Sequence, residues 1–216
     1  MITAEDKKEA ELFVDNFYEV FKELVSCDEL SELPFEEITM SSPMSGVASM
    51  RCGATKGVIR PYDYNFVIKV PFFYNDCDER YYKENYCELE YENYQLAKKY
   101  HVEDFFAAID IVANIKGVNI YVQEKAMSKN FTFYEDEDSH YGSDIVDKTF
   151  GEAASNVISD FFIAECLKCY PAEKVIDFLI FLDDNEDKFN DVCSLHNVSL
   201  TEDEKPVIID YSGYWD

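Results

Sequence analysis

The sequence is poor in positive charge and has no long apolar run. Nineteen lysines and arginines face 45 aspartates and glutamates among 216 residues, so the formal net charge is −26. A field of this sign repels nucleic-acid phosphates and anionic lipids, which argues against direct binding of nucleic acid or of a membrane surface. The first residues, MITAEDKKEAELF, are charged and lack the apolar stretch of a signal peptide. No run of about 18 apolar residues occurs, so no membrane span is expected.

The sequence also lacks internal repeats and low-complexity linkers. Its seven cysteines are odd in number and scattered, which together with the missing signal peptide predicts reduced thiols in a cytoplasm. Hydrophobic residues make up 47% of the chain, enough for a sizeable core. The length predicts one domain or at most two small ones.

The spacing of apolar residues predicts the elements of the N-terminal half. Residues 4–26 repeat apolar side chains every three to four positions, which is typical of an amphipathic helix. Residues 35–70 are rich in β-formers and are punctuated by proline and glycine. We expect an antiparallel meander here, with strands ITMSS, GVASMRC, GVIRP and YNFVIKVPFF.

The second half alternates between helical and extended patterns. Residues 78–100 predict a charged helix, and FFAAIDIVANI and VNIYVQEKA predict two strands with a turn at Lys116 and Gly117. Helices are expected over about 150–168 and 172–184, followed by a short strand, PVIID. This order predicts an α+β fold in which strands and helices are largely segregated.

Three polar features follow one another in an informative order. Lys69 lies in the middle of an apolar strand, where an ammonium is costly to bury unless it is paired. The next helix offers carboxylates for that pairing: Glu84, Glu88, Glu90 and Glu92. Near the end of the chain, Asn197 and Asp210 lie 13 residues apart with a hairpin expected between them. Their oxygens are ligands that suit Mg²⁺.

On these motifs the sequence resembles the divergent protein-kinase-like superfamily, especially the compact kinase-like proteins of bacteriophages and prophages. The resemblance spans roughly residues 35–213. It implies one kinase-like domain over residues 1–216, with an N-terminal helix over 1–30, a lobe with an antiparallel sheet over 31–126 and an abbreviated helical lobe over 127–216. The site would lie between the lobes. It also implies the cytoplasm of a bacterium or of a phage-infected host cell.

The family's site residues can be carried over position by position. In that family a strand lysine pairs with a helix glutamate and touches the nucleotide phosphates, while an asparagine and a strand-end aspartate hold Mg²⁺. The resemblance therefore implies ATP and Mg²⁺ as ligands. It assigns these roles to Lys69, Glu90 (with Glu88 or Glu92 as alternates), Asn197 and Asp210. It further places Gln123 and Glu124 near the adenine, and Ser45 and Gly46 at the tip of the loop over the phosphates.

The chain departs from the family pattern where catalysis needs it most. The family's catalytic base is an aspartate five residues before the asparagine, a position that is Val192 here. Asp191 is the candidate base if the loop contains one extra residue. The phosphate loop has one glycine near its tip instead of the usual cluster, so fewer backbone amides can cradle phosphate. These departures leave two interpretations open: an inactive pseudokinase or a specialised phosphotransferase.

A zinc site is the first alternative. Cys166-x-x-Cys169 and Cys193-x-x-His196 resemble two pairs of zinc ligands. The first pair, however, lies at the end of an apolar helical pattern and the gap lacks a glycine-rich knuckle, so we expect no zinc. A cysteine nucleophile with His101 or His140 has no local signature.

A non-enzymatic acidic interaction protein is the second alternative. Two stretches, YYKENYCELEYENY and YEDEDSHY, mix tyrosine with acidic residues. On a surface they would suit a basic protein partner, with tyrosine anchors and carboxylates facing arginine or lysine. A phage-borne inhibitor, or a nucleic-acid mimic acting as a decoy for a host or defence protein, would have this composition.

Overall fold

The computed structural model describes residues 1–27, 30–53, 55–72, 85–126, 158–189, 192 and 197–212. Its helices are α1 (Ala4–Asn16), α2 (Tyr18–Leu24), α3 (Glu32–Met40), α4 (Tyr86–Lys99), α5 (Asp160–Cys169) and α6 (Ala172–Asp184). Its strands are β1 (Ala48–Cys52), β2 (Lys56–Pro61), β3 (Phe66–Pro71), β4 (Ile109–Ile115), β5 (Val118–Glu124), β6 (Val198–Leu200) and β7 (Pro206–Ile208). Short 3-10 helices cover Pro43–Gly46 and Glu103–Phe105. The predicted α+β class is confirmed.

The chain divides into two compact units. The first comprises Met1–Glu92 and Ala108–Lys125, and the second comprises Asn93–Ala107 with the described residues after Lys125. These limits differ from the lobes expected from the sequence. Helices α1 and α2 belong to the unit that contains the large sheet, and the boundary after Glu92 lies within α4.

The first unit contains a five-stranded antiparallel sheet with the strand order β1-β2-β3-β5-β4. The predicted strands in GVASMRC, GVIRP, YNFVIKVPFF and VNIYVQEKA are all present. The turn between β4 and β5 is also confirmed, because Lys116 and Gly117 have φ values of 53° and 88°. Two consecutive positive φ values characterise the tightest hairpin turns.

Alternating residues of the strands face opposite sides of this sheet. One side, here called the core face, carries Ile59, Ile68 and Val122, which are packed with α1, α2 and α3. The other side, here called the Lys69 face, carries the residues paired in register with Lys69: Val58 on β2 and Tyr121 on β5.

The predicted strand ITMSS is wrong, because its first three residues lie in helix α3. Phe35 and Thr39 are one helical turn apart and are both buried. The Thr39 hydroxyl donates to the Phe35 carbonyl at 2.7 Å. Packing at a spacing of four residues has thus overridden the β-propensity of isoleucine and threonine. The predicted helix over 4–26 is likewise two helices, interrupted at Phe17.

The second unit has a core rich in aromatic rings. Helices α5 and α6 contribute Phe162 and Phe178, and Phe105 stacks on Phe178 with ring centroids 4.2 Å apart. Strands β6 and β7 form an antiparallel hairpin, joined to Phe106 by a single parallel bridge from Ile208. Helix α6 matches its predicted limits, 172–184.

Candidate functional site

Lys69 lies in the third strand of the chain, which has neighbours on both sides in the sheet. Its backbone pairs with Val58 of β2 and Tyr121 of β5. Only 4% of its surface is exposed. An ammonium that is this deeply buried must find a carboxylate or strong acceptors, because desolvating a lone charge costs several kcal/mol (about 3–5 when one partner is removed).

That carboxylate belongs to Glu90 of α4, which is fully buried. The Lys69 ammonium donates to Glu90 Oε2 at 2.6 Å. The predicted ion pair between Lys69 and Glu90 is therefore present. The alternates Glu88 and Glu92 are exposed on other sides of the helix, and Glu84 lies outside the described residues.

A second lysine shares the same carboxylate. Lys56, at the start of β2, donates to Glu90 Oε1 at 2.5 Å and is 4% exposed. It lies two residues before Val58 and therefore faces the same side as Lys69. Both oxygens of one carboxylate are thus bonded to ammonium groups from neighbouring strands. Charge-assisted bonds of this kind fix the position of all three groups, a requirement for precise contact with an anionic ligand.

Tyr121 adds a polar group to the Lys69 face. Its side chain is fully buried, and its hydroxyl has no hydrogen-bond partner among the described residues. Burial raises the pKa of Tyr121, so the phenol is neutral at physiological pH. The ring of Tyr91 on α4 lies against it, with centroids 6.1 Å apart. The sequence did not predict a site role for Tyr121, because a tyrosine among apolar neighbours is typical of any buried strand.

Asn197 and Asp210 lie next to each other at the open end of the β6–β7 hairpin. The Asn197 carbonyl accepts hydrogen bonds from the backbone N–H groups of Ile209 at 2.7 Å and Asp210 at 3.4 Å. The Asp210 carboxylate accepts a hydrogen bond from the Ser212 hydroxyl at 3.2 Å. The predicted hairpin is present. The β6–β7 register places Ile209, one residue before Asp210, opposite Asn197, and Mg²⁺ binding by the Asn197 and Asp210 side chains remains a prediction.

The strand end that carries Asp210 is held in place by its neighbours. The Tyr211 hydroxyl donates to the Ala107 carbonyl at 2.7 Å, and the Ala107 N–H donates to the Ile208 carbonyl at 2.8 Å. The Asn93 side chain donates to the Tyr211 carbonyl at 2.8 Å. Residues on both sides of Asp210 are therefore anchored, which limits the positions that its carboxylate can take.

The remaining predicted site residues are the proposed phosphate-loop and adenine contacts and the candidate base. Ser45 and Gly46 lie in a 3-10 helix between α3 and β1, so they are not the tip of a loop between two strands as predicted. Strands β1 and β2 are separated in sequence by residues 53–55, of which residue 54 lies outside the described residues. Gln123 is buried in β5, and the Glu124 carboxylate accepts a bond from the Ala108 N–H at 3.3 Å. Their contact with adenine remains a prediction. Asp191 lies outside the described residues.

The described residues do not bring together the four ligands of the alternative zinc site. Cys166 and Cys169 lie on α5, as the helical pattern indicated, while Cys193 and His196 lie outside the described residues. Burial raises the pKa of the Cys166 thiol, which opposes the thiolate that zinc requires.

Another trio brings Cys52 close to the exposed carboxylates of Glu32 and Glu36. Partial burial and these two charges raise the pKa of Cys52 to about 11. Its thiol therefore remains protonated at neutral pH, which disfavours metal binding there.

Comparison with known proteins adds no relative. No protein-family model, curated protein or solved structure matches the chain. Within the described part of the chain, none of the helices has the length and apolar character needed to cross a bilayer.

Proposed function

We propose that this chain is a kinase-like nucleotide-binding protein that takes ATP with Mg²⁺ and transfers phosphate slowly or not at all. The observation that carries the proposal is the buried ion pair between Lys69 of β3 and Glu90 of α4. It joins a strand lysine to the helix between the third and fourth strands, the arrangement that the resemblance implied. In kinases such a lysine contacts the nucleotide phosphates.

The proposal also assigns Mg²⁺ ligands to the β6–β7 hairpin. Asn197 and Asp210 would hold Mg²⁺ through an amide and a carboxylate oxygen, and the ion would offset the repulsion between ATP and a chain of net charge −26. The metal neutralises charge on the phosphates when it is bound.

The connection between β1 and β2 supports weak or absent transfer. Only residues 53–55 separate the two strands, and the Gly53 N–H donates back to the Lys56 carbonyl at 3.1 Å. A connection of three residues contains few backbone amides that could bind a phosphate chain. Positioning by side chains would remain, and much of phosphoryl-transfer catalysis consists of positioning and charge stabilisation.

Isothermal titration with Mg²⁺–ATP tests the binding proposal. We expect Lys69→Met and Asp210→Asn each to weaken ATP affinity about tenfold or more, which corresponds to about 1.4 kcal/mol. Matched controls are Lys22→Met on α2 and Asp203→Asn in the β6–β7 turn, both of which should bind as the wild type does. Circular dichroism of each variant confirms that it is folded.

The same titration separates the two candidate functions. No heat at millimolar Mg²⁺–ATP, in a folded wild-type protein, would sink the nucleotide proposal and favour the acidic interaction protein. That alternative has lost part of its support, because Tyr86 and Tyr94 from the stretch YYKENYCELEYENY are buried and cannot anchor a partner. The segment YEDEDSHY lies outside the described residues.

Transfer itself is measured separately, with γ-labelled ATP. If Asp191 is the catalytic base, Asp191→Ala should abolish any labelled product that the wild type forms. Unchanged turnover in the variant would remove Asp191 from the mechanism.

A further inference from the structure

Two arginines on the β1–β2 hairpin share the Lys69 face of the sheet. Arg51 of β1 is paired in register with Val58, which is itself paired with Lys69. Arg60 lies two residues after Val58 on β2, and Lys56 lies two residues before it. Because side chains alternate along a strand and directly opposed residues share a side, all four cations project from one face.

Among the described residues, the two arginines have no counter-charge. Both are exposed, and neither guanidinium forms a hydrogen bond or ion pair with that part of the chain. The absence is informative because the chain contains 45 acidic residues and only 19 basic ones. Like charges placed side by side repel one another, and partial burial together with the charge of Arg51 lowers the pKa of Arg60. An external anion between the two guanidiniums would relieve this repulsion.

The chemistry of the pair selects phosphate among anions. A guanidinium presents planar, paired N–H donors that match two oxygens of a phosphoryl group. A chain of net charge −26 repels anions at long range, so anion binding requires a local cluster of cations such as this one. A long polyanion would also meet the acidic remainder of the surface, which favours a compact ligand.

We propose that Arg51 and Arg60 form a binding subsite for phosphoryl groups of a small, multiply phosphorylated ligand, at the outer part of the Lys69 face. Arg51 and Arg60 are exposed, whereas Lys56 and Lys69 are buried against Glu90, so the two arginines are the cations of this set that a phosphorylated ligand reaches from solvent. The subsite involves neither Asn197 nor Asp210 and needs no nucleotide base.

Titration with inorganic tripolyphosphate in the absence of Mg²⁺ tests this subsite on the full chain. The variants are Arg51→Gln, Arg60→Gln and the double substitution, with Lys22→Gln and Lys116→Gln as charge-matched controls. Because both arginines are exposed and unpaired, the variants should unfold at the wild-type temperature. We expect the double variant to bind tripolyphosphate at least about tenfold more weakly and the controls to bind as the wild type does.

The outcomes distinguish this proposal from the nucleotide proposal. Tripolyphosphate binding that is equal in wild type and double variant overturns the subsite, even if Mg²⁺–ATP still binds. Arginine-dependent binding of tripolyphosphate in a protein that ignores Mg²⁺–ATP supports the subsite and removes the nucleotide function. Two further ligands test the assigned ligand class: citrate at matched ionic strength and a single-stranded oligonucleotide. If either binds as tightly as tripolyphosphate and its binding also depends on the two arginines, the assignment to small phosphorylated ligands is overturned.

Discussion

The two faces of the five-stranded sheet carry opposite chemistry on alternating residues of the same strands. On β3, Ile68 and Val70 belong to the core face, whereas Val67 and Lys69 face the other way. Burial does not separate the two sets, since Lys69 is 4% exposed and Ile68 is fully buried. The difference lies in what each buried group requires from its surroundings.

On the core face, a buried apolar side chain requires only that its neighbours fill the space around it and exclude water. A buried isoleucine or phenylalanine contributes about 1.5–3 kcal/mol through transfer from water, and several neighbours share the loss if one is trimmed. On the Lys69 face, two buried ammonium groups share one buried carboxylate. Lys56, Lys69 and Glu90 form a set in which the carboxylate has no substitute among the exposed glutamates of α4. The apolar core face stabilises the fold, whereas the paired charges of the Lys69 face provide the groups from which a binding site can be built.

Glu90→Gln should produce the largest loss of stability. The substitution keeps the shape of the side chain but leaves two buried ammonium groups without their carboxylate, so we expect a loss of about 3–5 kcal/mol in the free energy of unfolding. Urea denaturation followed by circular dichroism measures it. Glu92→Gln, on the exposed side of the same helix, is the control and should change stability by less than about 0.5 kcal/mol. Equal effects of the two substitutions would refute the dependence on one carboxylate.

Gly57→Ala tests the core face and should have the next largest effect. A Cβ atom at Gly57 would lie 2.3 Å from Cε2 of Phe35, so the ring on α3 must move. Overpacking of this kind costs about 1–3 kcal/mol. Gly46→Ala is the control, because nothing lies within 4 Å of the added atom.

The Phe35 ring itself provides the second arm of that test. Phe35→Leu in the Gly57→Ala background should recover part of the lost stability, since the smaller side chain vacates the space. A loss that persists unchanged in the double variant would show that the Phe35 ring is not what the new methyl group meets.

Tyr121→Phe should have a smaller effect of opposite sign. The hydroxyl is buried without a partner, and an unsatisfied polar group costs about 1–3 kcal/mol. We therefore expect the free energy of unfolding to rise by about 1 kcal/mol. Tyr62→Phe, at a residue that is 59% exposed, should leave stability unchanged. Destabilisation by Tyr121→Phe would mean that the hydroxyl has a partner after all.

Local patterns were sufficient to predict most strands and the ion pair. An apolar strand with one central lysine, followed by a helix rich in glutamate, already required a partner for Lys69. The resemblance assigned Glu90, with Glu88 or Glu92 as alternates, and only the helix packing shows which carboxylate is buried. Lys56 was missed because β2 was expected to begin at Gly57, one residue too late to include it.

The remaining differences concern contacts between distant parts of the chain. The strand predicted in ITMSS is a helix because Phe35 and Thr39 pack one turn apart, and Phe35 lies against Gly57 of β2. The pairing of Arg51 with Val58 and of Val58 with Lys69 depends on the register of three strands. No periodicity within one strand encodes that register, so the cationic row could not be predicted from spacing.

Cys52 should show an effect on reactivity rather than on stability. It lies at the edge of the core face, where partial burial and the carboxylates of Glu32 and Glu36 raise its pKa from 9.0 to about 11. At pH 9 the thiolate fraction then falls from about one half to about one hundredth, so alkylation by iodoacetamide should be about 50-fold slower than in the urea-unfolded chain.

Mass spectrometry of the alkylated peptides measures this rate for Cys52 alone. Replacing both carboxylates, by Glu32→Gln with Glu36→Gln, should raise the native rate, whereas Glu37→Gln on the same helix should not. The sign follows from charge: a carboxylate beside a thiol opposes its ionisation, whereas Glu90 beside two ammonium groups favours their charged forms. If the double substitution leaves the rate unchanged, burial alone protects Cys52, and the carboxylates of α3 have no electrostatic influence on the core face.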